Sequence, residues 1–252
     1  MESVDHYAAS IINKYRVIHD EDSPSHRAAD ELMPLLKEWG KQYLLGITLS
    51  GAYVKNTAVS LSSHVDILIA LSPVPGADMK KIYWNLFEFL SERDQGPSAG
   101  NVAIRVKHNG LMVDLIPAYR VGATGNQLFH KKSGAALETD VARHVHIVGS
   151  SGRQEEICAL KIWRERHNLD FPSLYLELTV LQALEGERFG QLADNLRAVF
   201  RHVSSRLEKI LLRDPVNSSN VISNDLSASD KRAVAKAATK ALEQDNWKKI
   251  IW

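Results

Sequence analysis

Two apolar segments of the chain each carry an aspartate, and these segments constrain the fold more than any other feature. Residues 65–71 (Val-Asp-Ile-Leu-Ile-Ala-Leu) have the pattern of a buried strand that ends at Ser72-Pro73. Residues 111–117 form a second such strand after the turn signal Asn109-Gly110. A charge in a buried strand is costly unless it is paired or binds a metal. Asp66 and Asp114 therefore either cap neighbouring loops or serve one shared site on a small sheet.

The pattern along the rest of the chain predicts a mixed first half and a helical second half. We expect helices at 4–18, 24–40 and 78–93, and strands at 43–49, 65–71, 102–107 and 111–117. From about residue 151 the pattern becomes helical, at roughly 153–168, 173–186, 190–213 and 227–244. The predicted fold class is α+β (α/β), with a mixed-sheet lobe over 1–150, a helical lobe over 151–252 and a ligand cleft between them.

Composition excludes several classes of protein. Lys plus Arg is 31 and Asp plus Glu is 30, so the net charge is +1, whereas a dedicated nucleic-acid binder is usually clearly basic. The single cysteine, Cys158, cannot form an internal disulfide. The first residues do not resemble a signal peptide, and no apolar run approaches the roughly 18 residues that span a membrane. We expect a cytoplasmic protein without a membrane partner, and the composition leaves its oligomeric state open.

Two further residues extend the possible site around the aspartates. His64 lies two positions before Asp66, so both side chains face the same side of the strand. The imidazole could be a metal ligand, or it could be cationic between two carboxylates and take the place of a metal. Gly51 follows strand 43–49, and the backbone N–H groups after it could receive a phosphate. A plain turn is the alternative for Gly51.

A second group of polar residues lies in the helical half. The predicted helices 153–168 and 173–186 are apolar nearly all round, and they carry Lys161 and Glu177. Lys161 either pairs with a buried carboxylate, extends its amine to the surface, or reaches a ligand. Ser173 follows Pro172, and it either caps the N-terminus of the helix or contacts a ligand.

Together these motifs carry a resemblance to a known superfamily. Gly51-Ala52, then Lys55-Asn56-Thr57, then His64-x-Asp66 and finally Asp114 on a later strand stand in the order of the signature of the DNA polymerase beta-like nucleotidyltransferases. The chain is most similar to the branch with oligoadenylate synthetases, bacterial cyclic-oligonucleotide synthases and archaeal-type CCA-adding enzymes. Leu160-Lys161-x-Trp163 and Pro172-Ser173 resemble two helix motifs of the same branch. Ala52 departs from the usual serine, and His64 departs from the first aspartate.

The resemblance implies a function and a set of site residues. It implies that Asp66, Asp114 and, as an atypical ligand, His64 are catalytic and hold two Mg²⁺ or Mn²⁺ ions. It implies nucleoside triphosphate contacts by a second set of residues: Gly51, Ala52, Thr57, Lys161, Ser173 and Tyr175. The reaction would move a nucleoside monophosphate from the triphosphate to a hydroxyl group on a second nucleotide or on RNA. The alternative is a catalytically impaired homologue that binds nucleotides or regulates a protein partner, and a weaker alternative is RNA binding without catalysis.

Overall fold

The computed structural model describes residues 3–18, 20, 23–62 and 64–252. The helices are α1 (Val4–Tyr15), α2 (Pro24–Gly40), α3 (Gly51–Val54), α4 (Met79–Ser91), α5 (Val141–Gly149), α6 (Gln154–Arg166), α7 (Ser173–Ala183), α8 (Leu192–Arg206) and α9 (Ala228–Leu242). The strands are β1 (Leu44–Ser50), β2 (Val65–Leu71), β3 (Ser98–Ala99), β4 (Ile104–His108), β5 (Leu111–Val121), β6 (Gly125–His130) and β7 (Ala135–Thr139). Short 3-10 turns occupy Lys41–Tyr43, Ile222–Asp225 and Trp247–Lys249. The predicted α+β class is confirmed.

The strands form one mixed sheet in the order β1-β2-β5-β4-β3, with β6 beside β5 and β7 beside β6. The β2 and β5 strands run parallel, and the other named strand pairs are antiparallel. Strand β5 is long enough to pair with β4 through its first half and with β6 through its second half. This central position places the middle of β5 beside both β2 and β4.

The chain divides into two compact units. The sheet unit comprises residues 18–56 and 63–146, and the helical unit comprises residues 1–17, 57–62 and 147–252. Helix α1 therefore belongs with the C-terminal helices. The short segment 57–62 joins the same unit through backbone hydrogen bonds from Val17 N–H to Ala58 O (3.0 Å) and from Ser60 N–H to Tyr15 O (2.7 Å).

The sheet unit is held by apolar strand residues and by the helices that pack on the sheet. Alternate residues of β2, among them Ile67 and Ile69, are fully buried. Helix α2 packs against β1 and β2, and helix α4 packs against β5 and β6. On the face that also carries Asp66, Leu68 packs with Ala118 and Leu128 in a small apolar cluster. The apolar contacts on this face thus lie farther along β2 than the aspartate.

The helical unit has the larger apolar core. Helices α6 and α7 are buried almost all round and lie among α1, α8 and the C-terminal segment. Trp163 packs edge-on against Phe200 with ring centroids 5.2 Å apart. Such a core makes α6 a central element whose polar residues must find partners inside the protein. Among the helices of the described residues, none is long and apolar enough to cross a membrane.

Most predicted elements are present, and the differences have local causes. Helix 24–40 and strand 65–71 have the predicted bounds, and the hairpin turn at Asn109-Gly110 joins β4 to β5. Strands β6 and β7 and helix α5 were not predicted. The β7 strand is mostly exposed and lacks an apolar run, so it has no sequence signal of its own. Helix α8 ends at Arg206, seven residues before the predicted end at 213.

Candidate functional site

Asp66 and Asp114 lie side by side on the sheet. Strands β2 and β5 run parallel with Asp66 directly opposite Asp114 in the register. Both side chains therefore project from the same face of the sheet, as neighbouring residues in register do. Both carboxylates are largely buried, so their charges must be balanced by nearby groups. Of the two alternatives for these aspartates, a shared place on the sheet is the one that agrees with this geometry.

His64 lies against both carboxylates. Its Nε2 atom is 3.4 Å from Asp66 Oδ1 and 3.3 Å from Asp114 Oδ2. The hydrogen bond to Asp66 raises the pKa of the His64 imidazole, burial opposes this shift, and the charges of Asp66 and Asp114 add to it. The positive charge of Arg105 lowers the same pKa as a smaller effect. Protonation of His64 is therefore favoured, as expected for an imidazole between two acids.

Arg105 is a site residue that the sequence analysis did not identify. Its Nε and Nη2 atoms donate to Asp114 Oδ1 at 2.6 Å and Asp114 Oδ2 at 2.7 Å. This bidentate pair is the strong form of an arginine–carboxylate interaction. The β4–β5 register sets it, because Arg105 lies opposite Asp114. A hairpin turn at Asn109-Gly110 pairs His108 with Leu111, and counting outward from there pairs Arg105 with Asp114. The sequence therefore contained enough information to predict that Arg105 lies beside Asp114.

Gly51 brings the turn after β1 into contact with Asp66. Gly51 has φ +70°, in the left-handed region that favours glycine, and a Cβ atom there would lie 1.7 Å from Asp66 Oδ2. The Ser50 hydroxyl also donates to the backbone carbonyl of Asp66 at 3.4 Å. Gly51 and Ala52 are half-buried, at the start of the short helix α3. The structure thus brings together Gly51, Ala52, His64, Asp66 and Asp114 within the sheet unit.

The donor atoms of this cluster can be tested against the two divalent ions that the resemblance implies. One atom each from His64, Asp66 and Asp114 lie within 4.8 Å of one another. Mg²⁺ prefers oxygen ligands, yet one donor is an imidazole nitrogen whose pKa favours protonation. Both oxygens of Asp114 already accept hydrogen bonds from Arg105. Asp114 is thus already paired with a guanidinium, and one of the three donors is an imidazole whose cationic form the two carboxylates favour, so a pair of Mg²⁺ ions does not fit these residues.

Lys161 and Thr57 lie together in the helical unit. Lys161 Nζ donates to Glu177 Oε1 at 2.7 Å and to Thr57 Oγ1 at 2.9 Å. Thr57 Oγ1 also donates to Glu177 Oε1 at 3.3 Å. The three side chains are almost completely buried, with Lys161 2% exposed. Of the alternatives for Lys161, pairing with a buried carboxylate describes its contacts here, and the amine does not reach the surface.

Ser173 and Tyr175 also have protein partners. Arg164 donates through Nη1 to Ser173 Oγ (3.1 Å) and to the Phe171 carbonyl (2.8 Å). Pro172 holds the N-cap position, so Ser173 is the first helical residue and not the cap. The Tyr175 ring is fully buried, its hydroxyl donates to the Leu207 carbonyl at 3.4 Å, and burial raises its pKa to about 12. Their predicted contacts with a nucleotide remain predictions.

Comparison with known proteins identifies the fold. No protein-family model matches the sequence, and no curated protein matches it by sequence comparison. Escherichia coli MS115-1 CdnC, solved with ATP, is 18% identical with a TM-score of 0.77, over 96% of this chain and 91% of that chain. The Elizabethkingia meningoseptica CdnE cyclic dinucleotide synthase, solved with GTP and Apcpp, is 15% identical with a TM-score of 0.67, over 94% and 99%.

A third similar structure is that of a poly(U) polymerase. The Cid1 poly(U) polymerase bound to MgATP is 14% identical with a TM-score of 0.66, over 95% of this chain and 93% of that chain. All three neighbours are polymerase beta-like nucleotidyltransferases. At these identities the likeness shows the fold, so the chain has the polymerase beta-like nucleotidyltransferase fold that its motifs predicted.

Proposed function

We propose that this chain binds a nucleoside triphosphate on its nucleotidyltransferase fold and is impaired in metal-assisted transfer. Solved neighbours of the same fold hold ATP, GTP with Apcpp, or MgATP, which supports a nucleotide as the ligand. The observation that carries the impairment is the bidentate Arg105–Asp114 pair beside His64. In this proposal the site keeps its place on the sheet and has exchanged bound cations for cationic side chains.

Charge balance gives the physical reason. Phosphoryl transfer on this type of site depends on divalent ions that neutralise the triphosphate and align the attacking group. A divalent ion near Asp114 would have to displace the Arg105 guanidinium, which is always charged. It would also have to displace the proton that the two carboxylates favour on His64. Each displacement lowers the affinity for the ion, and the two act at the same carboxylate.

The same side chains can contact a phosphate directly. The side chains of His64 and Arg105 are 31% and 41% exposed, so each keeps surface available beyond its carboxylate contact. A guanidinium presents five N–H donors, of which Arg105 uses those on Nε and Nη2 for Asp114. We infer that His64 and Arg105, with the backbone at Gly51 and Ala52, receive the triphosphate. Lys161, Ser173 and Tyr175 keep the nucleotide role only if they leave their present partners.

The second candidate function is the transfer reaction itself. One observation favours it: one ligand atom each of His64, Asp66 and Asp114 lies within 4.8 Å of the others. Such a set can hold one metal ion that takes a nitrogen ligand. Mn²⁺ tolerates an imidazole better than Mg²⁺ does. The reaction would then move a nucleoside monophosphate to a hydroxyl group of a second nucleotide or of RNA. Under this candidate, activity with Mn²⁺ would exceed activity with Mg²⁺.

A product assay with three proteins separates the two candidates. The unmodified chain, His64→Asp and Asp66→Ala are each incubated with labelled ATP, GTP, CTP or UTP and Mg²⁺ or Mn²⁺, with and without RNA. We expect no product from the unmodified chain and nucleotide binding that survives removal of divalent ions. Product from the unmodified chain that disappears in Asp66→Ala would establish the transferase instead. Product from His64→Asp alone would show that the rest of the site is intact.

A further inference from the structure

A basic groove in the helical unit is separate from the residues of the candidate site. The groove has a volume of about 510 Å³, within the ~300–1,000 Å³ range of small-molecule sites. Three of its lining residues, Ala233, Ala237 and Ala241, recur every four residues along α9. The other lining residues are Lys236 and Lys240 from α9, Gln244 two positions after that helix, and His167 and Lys249 from two other segments of the chain. The lining contains no acidic residue.

The three lysines of this groove have no partner among the residues that the structure describes. Lys236, Lys240 and Lys249 are exposed, and no hydrogen bond or ion pair to their amines is present within the described ranges. Lys236 and Lys240 are four residues apart on one helix face, where like charges repel. An anion held between the amines would relieve that repulsion. The groove is therefore a local concentration of positive charge in a chain whose net charge is only +1.

The part of the lining that does not come from α9 is fixed by internal contacts. His167 follows α6, its Nε2 lies 3.0 Å from the Ile250 carbonyl, and its ring packs edge-on against Trp252 with centroids 5.3 Å apart. Ile250 is buried and follows the turn that carries Lys249. The 3-10 turn that carries Lys249 is thus anchored next to His167, another residue of the lining. A ligand would therefore meet amines from two separate segments of the chain in a groove that is already formed.

We propose that this groove binds a free nucleotide that carries at least two phosphate groups. Lysine binds phosphate as a compact point charge, and three lysine amines in one groove suit a ligand with two or more adjacent charges. The alanine methyl groups of the lining offer an apolar surface for a base or a sugar. The inference does not depend on the proposed function, because the groove residues lie in the helical unit and His64, Asp66 and Asp114 lie in the sheet unit.

The test is amine acetylation resolved by residue, because it reports on each lysine separately. The full chain is labelled sparingly with and without ATP, sodium pyrophosphate, adenosine or a single-stranded RNA 10-mer, and lysine acetylation is read by mass spectrometry. We expect ATP and pyrophosphate to lower the labelling of Lys236, Lys240 and Lys249, with adenosine having no effect. Lys231 and Lys248 lie on the same two elements outside the lining and serve as internal controls. Equal protection of these controls, or no protection of the groove lysines, would overturn the proposal.

Two double variants with equal charge change give the matched affinity measurement. Lys240→Ala/Lys249→Ala removes two groove amines, and Lys231→Ala/Lys248→Ala removes two amines outside the lining. We expect the first to weaken the ATP binding that protects the groove lysines by about tenfold, and the second to weaken it by less than about twofold. Equal losses would overturn the site, and tighter binding of the RNA 10-mer than of ATP would replace it with a nucleic-acid interface. If ATP binds only at the His64 site, the labelling of the groove lysines will not change. That result would overturn the groove proposal and would leave the proposed function standing.

Discussion

One carboxylate, that of Asp114, faces the side chains of both Arg105 and His64, and this local arrangement governs what the site can hold. Arg105 binds both of its oxygens, and His64 Nε2 is 3.3 Å from Oδ2. Asp66 then remains the carboxylate that is free of the arginine, with Gly51 packed against it. The His-x-Asp spacing predicted that His64 would lie beside Asp66. The arginine could have been found from the hairpin register, whereas the His64 contact to Asp114 needs the tertiary pairing of β2 and β5.

The raised pKa of His64 predicts a pH-dependent stability. Because the pKa in the folded state exceeds the ordinary value of 6.5, protonation favours the folded state. This contribution is fully present below about pH 6.5 and is lost as the pH rises through the folded-state pKa. Urea unfolding of the unmodified chain and of His64→Asn across this range isolates the contribution. A stability difference between the two proteins that does not change with pH would contradict it.

Gly51→Ala is expected to be more destabilising than a matched glycine substitution. Gly51 and Gly76 have nearly equal backbone angles, φ +70° and φ +72°, so alanine meets similar backbone strain at both. Only at Gly51 would the new Cβ meet the Asp66 carboxylate, whereas nothing lies within 4 Å at Gly76. The clash should add about 1–3 kcal/mol to the loss in free energy of unfolding. Equal losses in urea unfolding would show that Asp66 does not pack against the turn.

At the scale of elements, the bounds of a strand or helix were predictable where the local sequence itself indicates them. Strand β2 is an uninterrupted apolar run, and α2 begins with Pro24 at its first position, so both bounds follow from local sequence. Strand β6 forms because the second half of β5 extends beyond β4 and offers it a free edge. The contact between Lys161 and Thr57 joins residues 104 positions apart, and no local pattern could predict it.

The buried Lys161–Glu177 pair predicts unequal effects of single and double substitutions. Lys161→Met removes the amine that donates to the buried Glu177 carboxylate at 2.7 Å and should cost about 3–5 kcal/mol of unfolding free energy. Lys161→Met/Glu177→Leu removes both charges and should recover much of that loss. Urea unfolding of the two variants makes the comparison. A single variant as stable as the unmodified chain would mean that the pair contributes nothing and that Lys161 is available for another contact.

For the whole molecule, the motifs predicted the fold and only part of the charge arrangement of the site. The order and spacing of the motifs in both halves of the chain predicted the nucleotidyltransferase fold, which three solved structures share. The departures Ala52 and His64 indicated altered chemistry, and a cationic His64 between the two carboxylates was one of the alternatives, whereas the pairing of Arg105 with Asp114 was not predicted. The predicted boundary near residue 150 assigned α1 and the segment 57–62 to the sheet lobe. In the structure both belong to the helical unit, through contacts between residues that are remote in sequence.

The retained fold and the altered site together predict how the whole protein responds to divalent ions. Because no pair of Mg²⁺ ions fits the cluster, adding Mg²⁺ or removing it with EDTA should leave the thermal midpoint of the unmodified chain unchanged. His64→Asp replaces the imidazole by a third carboxylate at 64, 66 and 114, and Mg²⁺ should raise its midpoint, because a ligand that binds the folded state stabilises it. A midpoint of the unmodified chain that rises with Mg²⁺ and falls with EDTA would indicate a resident ion.

The most direct test is a titration of Mn²⁺ into the unmodified chain and into His64→Asp, followed by the electron paramagnetic resonance signal of free Mn²⁺. We expect the unmodified chain to bind Mn²⁺ at least about tenfold more weakly than His64→Asp, because Arg105 already binds Asp114 and the raised pKa of His64 opposes the loss of the proton that a metal would displace. Equal, tight binding by the two proteins, lost on Asp66→Ala, would contradict this and would make the site a metal centre with His64 as a ligand.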